Sequence, residues 1–264
     1  MQQEITRELV QSWLPRRQAD SNKGSYGSVL AAAGSLAYRG AAALCAEGAL
    51  RGGAGLVYLA SVEPVVQMVL ARTPECCALP CRTDADGGIL AADATAVRQR
   101  FTEKPAVLLA GPGLGPSAAR ILNALLTADA KWKAAVLDAD ALNALAAGEL
   151  GQFPLLPTNT VLTPHPGEAA RLLGCSVAQI QTDRPAAAQE LAERYGCVAV
   201  LKGSGTLIAA PGREMLHNPT GNPGLARGGS GDVLAGMLAA LLAQGLAPFD
   251  AAACVVWQIG RAHV

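Results

Sequence analysis

At 264 residues, with 51% apolar, 4% aromatic and 16% charged residues, the chain has the material for one large α/β domain and excludes a disordered polar polypeptide. Lys+Arg and Asp+Glu balance at 21 each, so no global field recruits nucleic acid or a membrane surface, and any anionic ligand must be held by local groups.

Residues 1–22 place Ile5, Leu9 and Trp13 at helical spacing and predict a short amphipathic helix stopped by Pro15. No apolar leader run is present there and no later run reaches the length of a membrane span, so the cytoplasm is the expected compartment. A unit then recurs: a short apolar run, a turn bearing Gly, Pro or Asp, and a helical segment. Ser28–Ala33 leads through Gly34-Ser35 to a helix over Ala41–Arg51, and Gly55–Ala60 leads to a helix from about Pro64. Ala106–Ala110 leads through Gly111-Pro112-Gly113-Leu114-Gly115 to a helix near Ala118–Thr127. Ala134–Leu137 precedes Asp138-Ala139-Asp140, Thr160–Leu162 precedes Thr163-Pro164-His165-Pro166-Gly167-Glu168, and Cys197–Leu201 precedes Lys202-Gly203. Thr206–Ala210 and Glu214–His217 straddle Pro211-Gly212 and predict a hairpin at one side of the sheet.

Apolar strands alternating with helices predict a single-domain, three-layer α/β/α sandwich around a mostly parallel central sheet. In open sheets of this kind ligands sit at the carboxyl ends of the strands. Each unusual polar residue above follows a strand, so these residues are expected along one edge.

The stretch that faces them is Asn218–Leu246. It tightens into Gly228-Gly229-Ser230-Gly231, places Asp232, and runs into Val233, Leu234, Met237, Leu238, Leu241 and Leu242 at helical spacing. A helix N-terminus carries unpaired amides and roughly half a positive charge, a ready site for an anion. A carboxylate at that spot beyond the needs of a cap points to removal of a proton from a hydroxyl. Lys202-Gly203-Ser204-Gly205-Thr206 offers a cation, two glycines and two hydroxyls, which suit a nucleotide's phosphate or ribose and equally a tight hairpin turn. Two prolines pin His165 after a strand and mark it as a ligand contact. Asp138 and Asp140 stand as candidates for a Mg2+–water shell or a substrate hydroxyl, and equally as caps of the following helix. His217 reads as structural. No P-loop motif occurs, and Pro116 breaks the dinucleotide fingerprint begun at Gly111, leaving that loop as a close backbone approach to a ligand. The seven cysteines are odd in number and scattered without a C-x-x-C pair, against both a disulfide framework and a zinc site.

Several motifs occurring in order carry a resemblance. Lys23–Gly27 (KGSYG), Ala33–Ser35 (AGS), Arg39–Ala42 (RGAA), Ala49–Leu56 (ALRGGAGL), Gly111–Gly115 (GPGLG), Asp138–Asn143 (DADALN), Thr163–Glu168 (TPHPGE), Lys202–Thr206 (KGSGT) and Gly228–Gly236 (GGSGDVLAG) together resemble the ADP-dependent NAD(P)H-hydrate dehydratases of the ribokinase-like superfamily. The likeness spans about residues 23–257. It implies a ribokinase-like fold and the dehydration of (S)-NAD(P)H-hydrate, a lyase reaction of nicotinamide nucleotide repair. The ring hydroxyl is phosphorylated at the expense of ADP and the ester eliminates, leaving AMP and phosphate. Carried over to this sequence, Asp232 is the base, and the amides of Gly229, Ser230 and Gly231 hold the transferring phosphoryl group. Ala41, Gly113, Gly115, His165 and Asp232 contact the hydrated dinucleotide, Gly115 being the first choice within its loop. Lys202, Gly203, Ser204, Gly205, Thr206 and Gly231 contact the adenine nucleotide. Mg2+ as cofactor with ADP as co-substrate, a homo-oligomer, in the family's habit a homotetramer, and a separate NAD(P)H-hydrate epimerase as functional partner are further implications.

The sequence departs from the family at two places. Arg227 stands where Thr is usual before the glycine pair. The chain reads Gln258-Ile259-Gly260-Arg261-Ala262-His263-Val264 where a further helix is expected, and Ile-Gly-Arg-Ala-His-Val matches a translated sequencing adapter. The expectation is therefore one domain over 1–258, shortened at its C-terminus, followed by a non-native tail over 259–264. The alternative is a ribokinase-like kinase of a hydroxyethylthiazole or hydroxymethylpyrimidine type alcohol.

Overall fold

The computed structural model describes residues 2–150 and 156–262; His263 and Val264 of the expected tail lie outside the described residues. The N-terminus departs from the single helix expected. It forms β1 (Gln2–Glu4) and then α1 (Arg7–Trp13), with Thr6 between them capping the helix through a bond from the Leu9 amide. Gln2, Gln3 and Glu4 pair in parallel with Met215, Leu216 and His217, so the backbone ladder holds three exposed polar residues in a strand. Ile5 and Val10 are the buried anchors of this segment, while Leu9 and Trp13 are half-buried.

The repeating unit follows. β2 (Ser28–Ala32), α2 (Arg39–Arg51), β3 (Leu56–Val62), α3 (Glu63–Arg72), β4 (Cys77–Cys81) and α4 (Ala91–Gln99) make the first half. β5 (Val107–Ala110), α5 (Ala118–Leu125), β6 (Ala134–Leu137), α6 (Asp140–Ala146) and β7 (Thr160–Leu162) continue it. α7 (Pro166–Leu173), α8 (Val177–Thr182) and α9 (Arg184–Tyr195) precede β8 (Val198–Leu201), β9 (Leu207–Ala209) and β10 (Met215–His217), and α10 (Ser230–Ala243) and α11 (Pro248–Ile259) complete the fold. Among the described residues the sheet has ten strands in the order β1-β10-β9-β8-β7-β6-β5-β2-β3-β4. Its pairs are parallel except where β9 meets β8 and β10, the expected hairpin. β5, β6 and β8 are buried along their whole length, as strands covered on both faces must be.

One face of the sheet carries α1, α11, α10, α2 and α3, and the other carries α4 to α9. A continuous apolar core fills both interfaces, with alanine as its commonest small element, and the three-layer α/β/α sandwich expected from the sequence is the observed architecture. The direction of α10 follows from two contacts. Lys133, just before β6, donates to the Ala243 carbonyl at the end of α10 (3.0 Å), whereas Asp138, just after β6, lies beside Gly231 at its start. α10 thus runs against the strands and aims its N-terminus at their carboxyl edge.

Candidate active site

From β2 the chain moves outward to β3 and β4, returns to form β5 on the other side of β2, and then builds away in the opposite direction. The crevice of such a sheet opens where the order reverses, between the ends of β2 and β5. Registers Ala32↔Ala110, Ala110↔Leu137 and Leu137↔Leu162 place Ala33-Gly34-Ser35, Gly111–Gly115, Asp138 and Thr163 along one edge. The sequence-derived site residues on Gly111–Gly115, Asp138, Thr163–Glu168, Lys202–Thr206 and Gly229–Asp232 are therefore neighbours of that edge.

Gly229 takes φ +93°, which turns the chain into α10 with no side-chain cap to occupy the first-turn amides. Ser230 Oγ is buried without a hydrogen-bond partner among the described residues. Asp232 follows in the same turn. Burial first, and then the Asp138 carboxylate, push its carboxyl up from 3.8 to about 6, with Lys202 pulling the other way.

Behind Asp232 lies a buried charge cluster. Lys202 Nζ donates to Asp138 Oδ1 at 2.7 Å and stands 3.8 Å from Glu168 Oε2. The Thr163 hydroxyl donates to the same Asp138 oxygen at 2.8 Å. Burial raises the Glu168 carboxyl against the pull of Lys202, while burial of Lys202 is outweighed by Asp138 and Glu168, which hold its ammonium above the ordinary value. His165 is the cap of α7: its Nδ1 accepts from the Gly167 amide at 3.0 Å, and Glu168 Oε2 accepts from the His165 amide at 2.8 Å. Nδ1 is thus used within the cap and Nε2 stands 3.5 Å from Glu168 Oε1, while the ring as a whole remains half exposed at the site.

The facing wall is the Gly111–Gly115 loop. A Cβ on Gly111 would overlap the Asp138 carbonyl oxygen, so the close approach that only glycine permits joins this loop to the end of β6. Asp140 Oδ2 accepts from the Gly115 amide at 2.8 Å and fixes the other end of the loop. The sequence did not suggest this brace, and of the roles it left open the helix cap is not the one displayed, since α6 has no side-chain cap. A Cβ on Gly113 would meet the Ala41 Cβ and the Tyr38 Cβ at 2.9 Å, so Ala41, Gly113 and Tyr38 form one contiguous surface. Tyr38 is 58% exposed there. Gly203 and Ser204 are exposed on the opposite side, with Thr206 Oγ1 donating to the Gly203 carbonyl at 2.9 Å. Arg184 supports this loop by donating to the Leu201 and Lys202 carbonyls at 3.2 and 3.3 Å.

Residues 29–263 match the family model described as NAD(P)H-hydrate dehydratase. The ADP-dependent (S)-NAD(P)H-hydrate dehydratase of Neisseria meningitidis is 40% identical over 93% of this chain and 79% of its own length. The chain belongs to the NAD(P)H-hydrate dehydratase family. The bifunctional NAD(P)H-hydrate repair enzyme Nnr of Moorella thermoacetica is 44% identical over 98% of this chain and 48% of its own length. The chain thus spans about half the length of the curated relatives it matches first. The crystal structure of the ADP/ATP-dependent NAD(P)H-hydrate dehydratase of Bacillus subtilis, co-crystallised with ATP and Mg2+, superimposes with a TM-score of 0.81 at 34% identity, covering 98% of this chain and 87% of that one. The fold is ribokinase-like.

Within this family member, sequence reasoning missed Tyr38, Glu168 as the partner of Lys202, and the Asp84–Ser117 pair beneath the glycine loop. Glu168 was within reach: three residues after His165 it completes a capping box and is thereby drawn inward. The sequence presents Lys202 as a cation for phosphate; the structure turns its ammonium into the protein instead. Arg227 is exposed, and nothing in the structure explains its replacement of the usual Thr.

Proposed function

We propose that the chain dehydrates the (S)-hydrates of NADH and NADPH with ADP as phosphoryl donor, restoring the reduced nucleotide and leaving AMP and phosphate. The observation that carries the reading is Asp232, a carboxylate in the open first turn of α10 whose burial and neighbour Asp138 raise it to about 6. Such a group is ionised at neutral pH yet more basic than an ordinary carboxylate, as a general base should be. It takes the proton of the ring hydroxyl while the hydroxyl oxygen bonds to the terminal phosphorus of ADP and the bridging P–O bond to AMP breaks. The C–O bond then breaks with phosphate as leaving group, and loss of a proton from the adjacent ring carbon restores the double bond. The base contributes about 10²–10⁴-fold. The amides of Gly229, Ser230 and Gly231 hold the phosphoryl oxygens, each such donor being worth about 10²–10³-fold.

The hydrated dinucleotide lies against Ala41, Gly113, Gly115 and the outer edge of His165, and the adenine nucleotide lies on Gly203–Thr206 and Gly231. Mg2+ supplies charge compensation on transferring phosphates when bound. Among the described residues no group of three or more His, Cys, Asp or Glu side chains is placed to cage a metal ion. An ion carried by the nucleotide's own phosphates fits that arrangement. The reading also includes a homo-oligomer of tetrameric type, an epimerase as functional partner and a cytoplasmic setting. For the last, the support is that no helix among the described residues is long and apolar enough to cross a membrane.

The test is to incubate the protein with hydrated NADH, Mg2+ and either ADP or ATP and to follow the return of reduced-nicotinamide absorbance. Recovery dependent on nucleotide is expected. No recovery with either nucleotide, together with phosphorylation of a hydroxyethylthiazole alcohol, would replace this reading by the vitamin-kinase one.

A further inference from the structure

Lys202 opens the loop at the end of β8, yet its side chain is only 20% exposed and its ammonium sits 2.7 Å from Asp138 Oδ1, a carboxylate that is 2% exposed. A Cβ at Gly231, next to Asp232, would lie 3.4 Å from Lys202 Nζ and 3.6 Å from Asp138 Oδ2. The ammonium therefore lies under the first turn of α10, between two acids and the turn that carries the base. Asp232 is faced by Asp138 from the end of β6, Asp140 from α6, Lys202 from the end of β8 and the Cys45 thiol from α2, with Glu168 of α7 behind Lys202.

We propose that Lys202 is a positioning residue: its ammonium, locked on Asp138 and Glu168, offsets the Asp138 charge so that Asp232 stands as a carboxylate, and the nucleotide's phosphates are held by the amides and hydroxyls of Gly203–Thr206. The proposal rests on Asp232 being the base. Swinging Lys202 out to a phosphate would leave Asp138 buried with no counter-charge, the costly outcome for a buried pair. A second carboxylate near Asp232 disfavours its ionised form, and an ammonium beside that carboxylate restores it. The opposing pulls on Asp232, upward from Asp138 and downward from Lys202, follow that logic.

The experiment compares wild type, Lys202→Met, Lys202→Arg and Asp138→Asn in two measurements. One is the pH profile of kcat/KM with ADP. The other is a carbon-13 NMR titration of the Asp232 carboxyl in the nucleotide-free protein. For Lys202→Met the acid limb and the NMR midpoint should move up by about 1 pH unit, an about fivefold loss of rate at pH 6 that approaches tenfold at lower pH and is recovered in alkaline buffer, with KM for ADP changed less than about twofold. Lys202→Arg should restore the limb, and Asp138→Asn should move it to lower pH. A KM for ADP raised tenfold with limb and midpoint unmoved would make Lys202 a nucleotide ligand and overturn the proposal. If Lys202→Met does not fold, an Asp138→Asn midpoint that stays in place or rises overturns it equally. Failure of the underlying reading looks different: Asp232→Asn would then retain wild-type dehydration whatever the midpoints show.

Discussion

Gly236 of α10 packs so closely on α2 that a Cβ there would overlap the carbonyl oxygen of Cys45. Gly48 of α2 makes the reciprocal approach to Val233, 2.7 Å from its carbonyl oxygen to a built Cβ. Two glycines thus allow two helices to meet backbone to backbone, and the contact sits one turn beyond Asp232. Gly236→Ala must push α10 away from α2. Overpacking of this kind costs about 1–3 kcal/mol, read as a fall of several degrees in Tm at this chain length. Turnover should fall further than stability alone explains, because α2 carries Ala41 and α10 carries Asp232. A thermal melt beside an activity assay on Gly236→Ala checks both; an unchanged Tm would refute the packing argument.

The parts legible in the sequence are those where side chains alone decide. β5, β6 and β8 are apolar because both faces are covered, and the small and apolar run after Asp232 is a helix enclosed by α2, α11 and the sheet. β1 was not legible, because Gln2, Gln3 and Glu4 are held by backbone pairing and have no apolar face to announce them. β4 hid for a related reason: at the sheet's edge it tolerates Pro80 and leaves Ala78 exposed, which breaks the buried-strand pattern. Within the site, Asp232 and the glycine turn are visible because the helix after them is unmistakable. The inward turn of Lys202 was not, since its ion-pair partners Asp138 and Glu168 lie 64 and 34 positions away and only the sheet order brings them together.

Asp232→Asn separates catalysis from stability by pH. Turnover should fall by about 10²–10⁴-fold with nucleotide binding largely retained. The carboxyl is at 3.8 when free and about 6 when folded, so the folded protein favours the protonated form. The folded state is therefore penalised by this group above pH 6, and the penalty fades as pH falls toward 4. Allowing for its partial exposure, the penalty is about 1–2 kcal/mol. The Asn variant should melt several degrees above wild type at pH 8 and level with it near pH 4. Equal melting at both pH values would show that Asp232 is not perturbed.

Asp84 has the opposite sign. Burial raises its carboxyl, but bonds from Arg120, Ser117 and the amides of Gly88 and Asp86 outweigh it and hold it down at about 2. Its contribution to stability is present above pH 4 and is lost as pH falls through 2. Asp84 braces the 82–90 loop against Ser117, and Gly87 of that loop accepts from the Leu36 amide at 2.9 Å beside the crevice. Asp84→Asn should lower Tm by a few degrees at pH 7, about 1 kcal/mol for the charge-assisted bonds lost, and the gap should close near pH 2. Thermal melts of wild type and variant across that range read the sign directly.

Tyr38 is the exposed aromatic side chain against the Ala41–Gly113 surface, with its ring edge 4.0 Å from a Cβ built on Gly115. An apolar ring left in water at a crevice mouth gains by covering a flat partner, and a hydrated dinucleotide still brings an aromatic adenine. Tyr38→Ala should raise KM for the hydrated dinucleotide about two- to tenfold, equivalent to the 0.5–1.5 kcal/mol of an aromatic pair, and leave kcat within a few-fold. Tyr38→Phe should stay near wild type in both constants because the ring, not the hydroxyl, makes the contact. Since the side chain is 58% exposed, neither change should disturb the melt. A fall in kcat at unchanged KM would move Tyr38 from holding the substrate to acting on the reacting ring.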